Sequence, residues 1–154
     1  MAAAGIRAGE VVVDLGAGTG SLTVPLAEAG ARVIAVELHP RRAAQLRRRL
    51  DGYDVVVVER DLRTFAAPGR PFRVVANPPF VQTAAVLALL RGARHLVRAD
   101  LVLQRGVVRQ LESGERRSTR RLAVHWVMDL PPAAFSPRPP VDASLVTLRP
   151  RRRH

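Results

Sequence analysis

Val11-Val12-Val13-Asp14-Leu15-Gly16-Ala17-Gly18-Thr19-Gly20 joins a valine-rich run to three glycines at alternate positions. The run does not alternate with polar residues, which is the pattern of a strand buried on both faces. Glycines directly after it permit left-handed backbone angles and a close approach to a ligand. A helical pattern over residues 21–29 follows, so the segment reads as strand, loop, helix. Amides at that helix start can face a polar or anionic group.

The same alternation continues outward from this segment. Strands are expected at 32–36, 55–58, 73–76 and 101–103, with helices at 41–50, 83–95 and 106–111. Gly30 stands where a helix C-terminal glycine would, and Pro40 suits a first helical turn. Strands separated by helices require crossover connections, hence a parallel sheet covered on both faces. The last third breaks the rhythm: 121–130 and 143–148 read as longer strands joined by residues 131–142, which hold five prolines and cannot be helical. The expected fold is α/β, a Rossmann-like seven-stranded sheet, mostly parallel, with an antiparallel final strand and helices on both faces.

Length and composition bound the alternatives. The 154 residues suit one domain, 1–154, ending in a basic tail at 149–154. There is no cysteine, so neither a disulfide framework nor a thiolate metal site is available. His39, His95, His125 and His154 lack metal-ligand spacing, and no metal is expected. No apolar run approaches the roughly 20 residues of a membrane span, and the first nine residues carry no signal pattern. A cytoplasmic monomer is the expectation. All 25 basic residues are arginine, as in proteins from GC-rich genomes, but that bias does not explain a net charge of +12. The excess of base points to a polyanion such as nucleic acid.

The loop spacing is G-x-G-x-G with Asp14 two positions before the first glycine. It resembles the S-adenosylmethionine loop more than the G-x-G-x-x-G pyrophosphate loop of dinucleotide enzymes. Asp14, Gly16, Gly18 and Gly20 are therefore candidate cofactor residues. Glu37 ends the second strand, where a carboxylate can accept hydrogen bonds from both ribose hydroxyls. Asp61, after the third strand, is the candidate acceptor for the adenine amino group, with Asp54 and Glu59 as neighbouring alternatives.

Asn77-Pro78-Pro79-Phe80 lies just beyond the fourth strand, at the edge where open α/β sheets bind ligands. Two prolines remove two N–H groups and stiffen the path. The Asn77 side-chain oxygen and the Pro78 carbonyl can then both accept from one exocyclic amino group, aiming its nitrogen at a methyl sulfonium. Phe80 offers a face for a base to stack on, and a base buried in a duplex or hairpin must be turned out to reach it. The methyl donor is already activated, so positioning and polarisation supply most of the catalysis.

With these residues in place the sequence resembles the ribosomal RNA adenine N6-methyltransferases, and within them the Erm-type enzymes of the large-subunit RNA. The anchors are residues 14–20, Glu37, Asp61, Asn77-Pro78-Pro79-Phe80, Leu103-Gln104-Arg105 and Phe135-Ser136-Pro137-Arg138-Pro139-Pro140-Val141-Asp142-Ala143-Ser144. The resemblance implies transfer of one or two methyl groups from S-adenosylmethionine to N6 of an adenine in 23S rRNA, naked or in pre-ribosomal particles. In Erm-type enzymes that modification confers macrolide, lincosamide and streptogramin B resistance. By carry-over, Gly16, Gly18 and Glu37 bind the cofactor, Asp61 its adenine, and Asn77 and Phe80 the target base.

The small-subunit dimethylases share these motifs, but their usual Asn-Leu-Pro-Tyr differs from the tetrapeptide here. A relative that binds RNA without turnover, and a DNA or small-molecule amino methylase, are the readings of a different class. The family pattern also includes a Gln-Asn-Phe-like stretch before the glycine loop and a C-terminal helical domain. Neither is recognisable in the ten residues before Val11 or the six after Leu148. RNA contacts are accordingly expected from Arg116, Arg117, Arg120 and Arg121, in a basic loop placed near the catalytic edge, where arginine can grip phosphate. Arg41, Arg42, Arg47, Arg48 and Arg49 read as a solvated helix face, and Trp126 and Tyr53 as packing residues.

Overall fold

The computed structural model describes residues 5–114 and 120–152. Seven strands form one sheet: β1 (Val11–Leu15), β2 (Arg32–Glu37), β3 (Val55–Glu59), β4 (Phe72–Ala76), β5 (Leu96–Gln104), β6 (Leu122–Leu130) and β7 (Ala143–Pro150). Their order is β3-β2-β1-β4-β5-β7-β6. The first five are parallel, and β7 runs antiparallel to both β5 and β6. Among the described residues the α-helices are α1 (Thr23–Glu28), α2 (Pro40–Arg49), α3 (Thr83–Gly92) and α4 (Arg105–Glu112).

Burial on both faces explains why the strands read as continuous apolar runs. On one face Val11, Val13 and Leu15 of β1 belong to one core with Val86, Leu87 and Leu90 of α3 and Val107, Val108 and Leu111 of α4. On the other, Val12 packs with Leu26 and Ala27 of α1 and with Leu46 of α2. Truncating a fully buried leucine such as Leu26 or Leu46 to alanine would cost about 2–5 kcal/mol.

Two boundaries differ from the expected ones by more than two residues. The third helix ends at Gly92 rather than at His95, and the fifth strand begins at Leu96 rather than at 101. Arg98 and Asp100 look like loop residues in sequence, yet Asp100 is buried inside β5. It accepts from Thr147 Oγ1 at 2.7 Å, from Arg98 at 2.7 Å and from Arg73 at 3.2 Å. Burial alone would raise its pKa, but these bonds outweigh it and hold the carboxyl below the usual carboxylate range. Tyr53 and Trp126, expected to pack, are 44% and 51% exposed. Trp126 lies on β6 at the edge of the sheet, and its indole N–H donates to Asp129 at 3.0 Å.

The register also corrects the placement of the basic loop. Leu130 pairs with Ala143, which pairs with Gln104 at the carboxyl end of β5, whereas Leu122 at the start of β6 pairs with Pro150. Since α4 returns the chain before β6 begins, Arg120 and Arg121 stand at the amino edge of the sheet, opposite the glycine loop. Arg120 and Arg121 are exposed there; Arg116 and Arg117 lie outside the described residues.

Candidate functional site

The strand order reverses between β1 and β4, and such a switch opens a crevice at the carboxyl edge of a parallel sheet. The β1–β4 ladder ends at Val13–Val74, below both the glycine loop and Asn77. A cavity of about 810 Å³ occupies this edge, within the range of small-molecule sites. Gly16 and Gly18, Glu37, Asn77 and Phe80 all line it.

Each predicted residue can now be placed. Gly16 has φ of 73°, and a Cβ there would stand 3.0 Å from Pro79 Cδ, so the loop lies directly on the proline turn. Its N–H and that of Ala17 donate to Val36 O, at 2.9 and 3.0 Å, which docks the loop on β2. Gly18 has open space where a side chain would be. Gly20 is different: it is absent from the cavity lining, and a Cβ would come within 2.9 Å of Leu46 Cδ2. Its role in the structure is to seat α2 against the loop.

Asp14 also stands behind the cavity. It is buried and accepts from Thr23 Oγ1 at 2.7 Å. Burial pushes its carboxyl up to about 7, the Thr23 bond opposes this, and the nearby charge of Glu37 adds to it. Glu37 faces the cavity. Its carboxylate accepts from the Gly18 N–H at 2.8 Å and the His39 N–H at 3.0 Å, with Arg42 at 3.5 Å. One acid thus ties the glycine loop to the start of α2, where His39 caps the helix through Nδ1 and Pro40 fills the first position.

Asn77 is exposed and Pro78 buried, and no hydrogen bond to the Asn77 side chain forms among the described residues. Phe80 is half-buried, resting on a small cluster of Val102, Ala143 and Leu145 with Leu130 and Phe135. The Phe135 segment forms the wall of the cavity opposite the glycine loop, with Ser136, Pro137 and Pro139. Asp61 does not reach the cavity. It pairs with Arg63 at 2.7 Å, and these bonds hold its carboxyl down at about 2. Its neighbours Arg60 and Leu62 line the cavity instead.

Arg42, Arg60 and Gln82 join the lining although their sequence positions do not mark them as site residues. Arg42 reads as part of a solvated face, but it lies one turn from the Glu37 end of β2 and joins the lining. Gln82 follows the tetrapeptide on a 3-10 turn, Phe80–Gln82, and its side-chain oxygen is buried without a partner. Proximity to the tetrapeptide is the one signal in the sequence that could have found it.

The lining fits an adenosyl cofactor on three observations of the structure. Glu37 presents a carboxylate at the end of β2, Gly18 leaves its approach open, and Gln82 holds an unsatisfied acceptor beside Gly16. No group of three or more metal-ligating side chains exists among the described residues. No helix among them is long and apolar enough to cross a membrane.

Comparisons with known proteins agree with this geometry. The family model described as ribosomal RNA adenine dimethylase matches residues 1–154. The ribosomal RNA small subunit methyltransferase A of Cupriavidus taiwanensis is 34% identical over 162 residues, covering 96% of this chain and 58% of that protein. An rRNA adenine N-6-methyltransferase of Corynebacterium diphtheriae is 32% identical over 145 residues, covering 90% of this chain and 57% of that one. The crystal structure of the 23S rRNA methyltransferase ErmE superposes with a TM-score of 0.85 at 30% identity, covering 97% of this chain and 66% of that one. The chain thus spans somewhat more than half the length of the curated relatives it matches.

Proposed function

Because this chain belongs to the ribosomal RNA adenine dimethylase family, we propose that it transfers methyl groups from S-adenosylmethionine to N6 of an adenine in ribosomal RNA. The observation that carries the reading is the position of Asn77. Its unbonded side chain sits at the carboxyl edge, on the same cavity as the glycine loop and Glu37. When bound, S-adenosylmethionine supplies a methyl group already activated on a sulfonium. The rest is done by the chain. Glu37 accepts from the ribose hydroxyls, and Leu38 and Leu62 give the adenine ring apolar contact. Asp61 receives the ring's amino group once it turns from Arg63.

On the substrate side, Asn77 Oδ1 and the Pro78 carbonyl accept from the exocyclic amino group and aim its lone pair at the methyl carbon. Phe80, braced from behind by its apolar cluster, stacks on the extruded base. As Asn77 is exposed, the proton released from N6 passes directly to water. RNA phosphates meet the arginines of this edge first: Arg42 and Arg60 on the rim, and exposed Arg138 in the proline-rich connection. Arg120 and Arg121 on the far edge engage only RNA that wraps around the sheet.

Within the family, Asn77-Pro78-Pro79-Phe80 favours the large-subunit RNA, and with it the macrolide, lincosamide and streptogramin B resistance phenotype in the cytoplasm. The relatives named for the small subunit keep the 16S RNA as the second reading. Incubation with labelled S-adenosylmethionine and protein-free large- or small-subunit RNA, followed by primer extension, separates them. Label at one adenine of 23S rRNA is the expected result. Label in 16S rRNA selects the second reading, and label in neither overturns both.

A further inference from the structure

Three side-chain atoms among the described residues are buried with no hydrogen-bond partner: Arg73 Nε, Gln82 Oε1 and Thr83 Oγ1. Two of them adjoin the site, and Gln82 lines it. The Gln82 backbone N–H donates to Pro79 O at 2.8 Å, which fixes the residue beneath the proline turn. Its side-chain oxygen faces the glycine loop, 3.6 Å from where a Gly16 Cβ would stand, in the crease that also holds Pro78 and Pro79. A buried carbonyl oxygen left without a donor is costly, so its persistence on a cavity wall points to a donor that arrives with a ligand.

We propose that Gln82 positions the amino-acid arm of the cofactor, its side-chain oxygen accepting from the α-ammonium group. This rests on the methyltransferase reading above. The assignment follows by elimination among the donors of an adenosyl amino acid. Its ribose hydroxyls belong at Glu37 and its adenine amino group beyond Leu62, both on the β2–β3 side. The sulfonium has no hydrogen to give and must lie near Asn77. Only the ammonium remains for the crease between Gly16 and Gln82. There a neutral oxygen meeting a cation forms a charge-assisted bond in a site shielded from water.

Calorimetric titration of the full chain with S-adenosylhomocysteine and with its deaminated analogue tests this. The wild type should bind the parent compound about 10- to 100-fold more tightly than the analogue. In Gln82→Met, which keeps the volume and removes the acceptor, the two should bind within about threefold of each other. Gln82→Glu should restore the preference. The melting temperature of Gln82→Met should equal or exceed that of the wild type, because the substitution removes an unsatisfied group. An unchanged preference in Gln82→Met overturns the proposal, as does a preference that collapses only against a decarboxylated analogue. Absence of all binding by the wild type would instead remove the cofactor reading beneath it.

Discussion

The amino and carboxyl sides of the sheet treat their buried acceptors differently. On the amino side, mid-strand Asp100 is saturated: Arg98, Arg73 and Thr147 all donate to it, and Arg73 also reaches the Gly5 carbonyl at 2.9 Å, although its Nε is buried without a partner. At the carboxyl edge, among the described residues, Asn77 is unbonded, Gln82 Oε1 and Thr83 Oγ1 are buried without partners, and Glu37 is shared between two loops. A polar group whose partners are all supplied by the fold contributes to stability. One left open at a cavity contributes when something binds. Burial alone does not separate scaffold from site, since Asp100 and Glu37 are both buried acids.

Substitutions at each edge should therefore show up in different measurements. Asp100→Ala leaves Arg73 and Arg98 without their shared partner and should cost about 3–5 kcal/mol in denaturant unfolding. Its cofactor affinity, extrapolated to native conditions, should stay within about twofold of wild type. Asn77→Ala should reverse that outcome, with methyl transfer to rRNA falling about 10²- to 10³-fold while the unfolding midpoint and cofactor binding hold. If Asn77→Ala unfolds or loses the cofactor, the division between the edges is wrong.

Asp14 connects the two behaviours, being a buried acid directly beneath the site. Its folded pKa, about 7, lies above the ordinary aspartate value of 3.8, so the folded state holds its proton more tightly than the unfolded chain. Its contribution to stability is therefore greatest at low pH and declines as pH rises from about 4 to 7, then levels off. The slope is at most about 1.4 kcal/mol per pH unit. Asp14→Asn should remove this decline from a series of melts between pH 4 and 8; a series that keeps it would assign the decline to another group. The smallest effect is expected in RNA binding. Replacing Arg42 and Arg60 should lower the salt slope by about 0.7–0.9 for each phosphate no longer neutralised. Replacing Arg120 and Arg121 should lower it less, and an equal reduction would bring the far edge into the RNA path.

Much of this is legible in the sequence, and what is not has physical causes. β1 to β4 announce themselves because burial on both faces demands unbroken valine-rich runs. The first half of β5 does not, because Arg98 and Asp100 are tolerated inside a strand only through Arg73 and Thr147, which come from other strands. The glycine loop, Glu37 and Asn77 are readable from spacing, since each stands at the end of a strand. Gly20 shares the loop pattern but serves helix packing, a distinction visible only when Leu46 is placed against it. Arg42, Arg60 and Gln82 enter the cavity through helix phase and loop geometry that local sequence does not encode. Arg120 and Arg121 lie away from their expected edge for a simpler reason: α4 carries the chain back to the amino edge before β6 begins.

Amide hydrogen exchange with and without S-adenosylhomocysteine reads both sides of the sheet in one experiment. Added protection is expected at residues 16–20, 37–39 and 77–82, with no change around 98–100 and 120–122. Protection at the amino edge alone, or none anywhere at saturating ligand, would contradict this expectation.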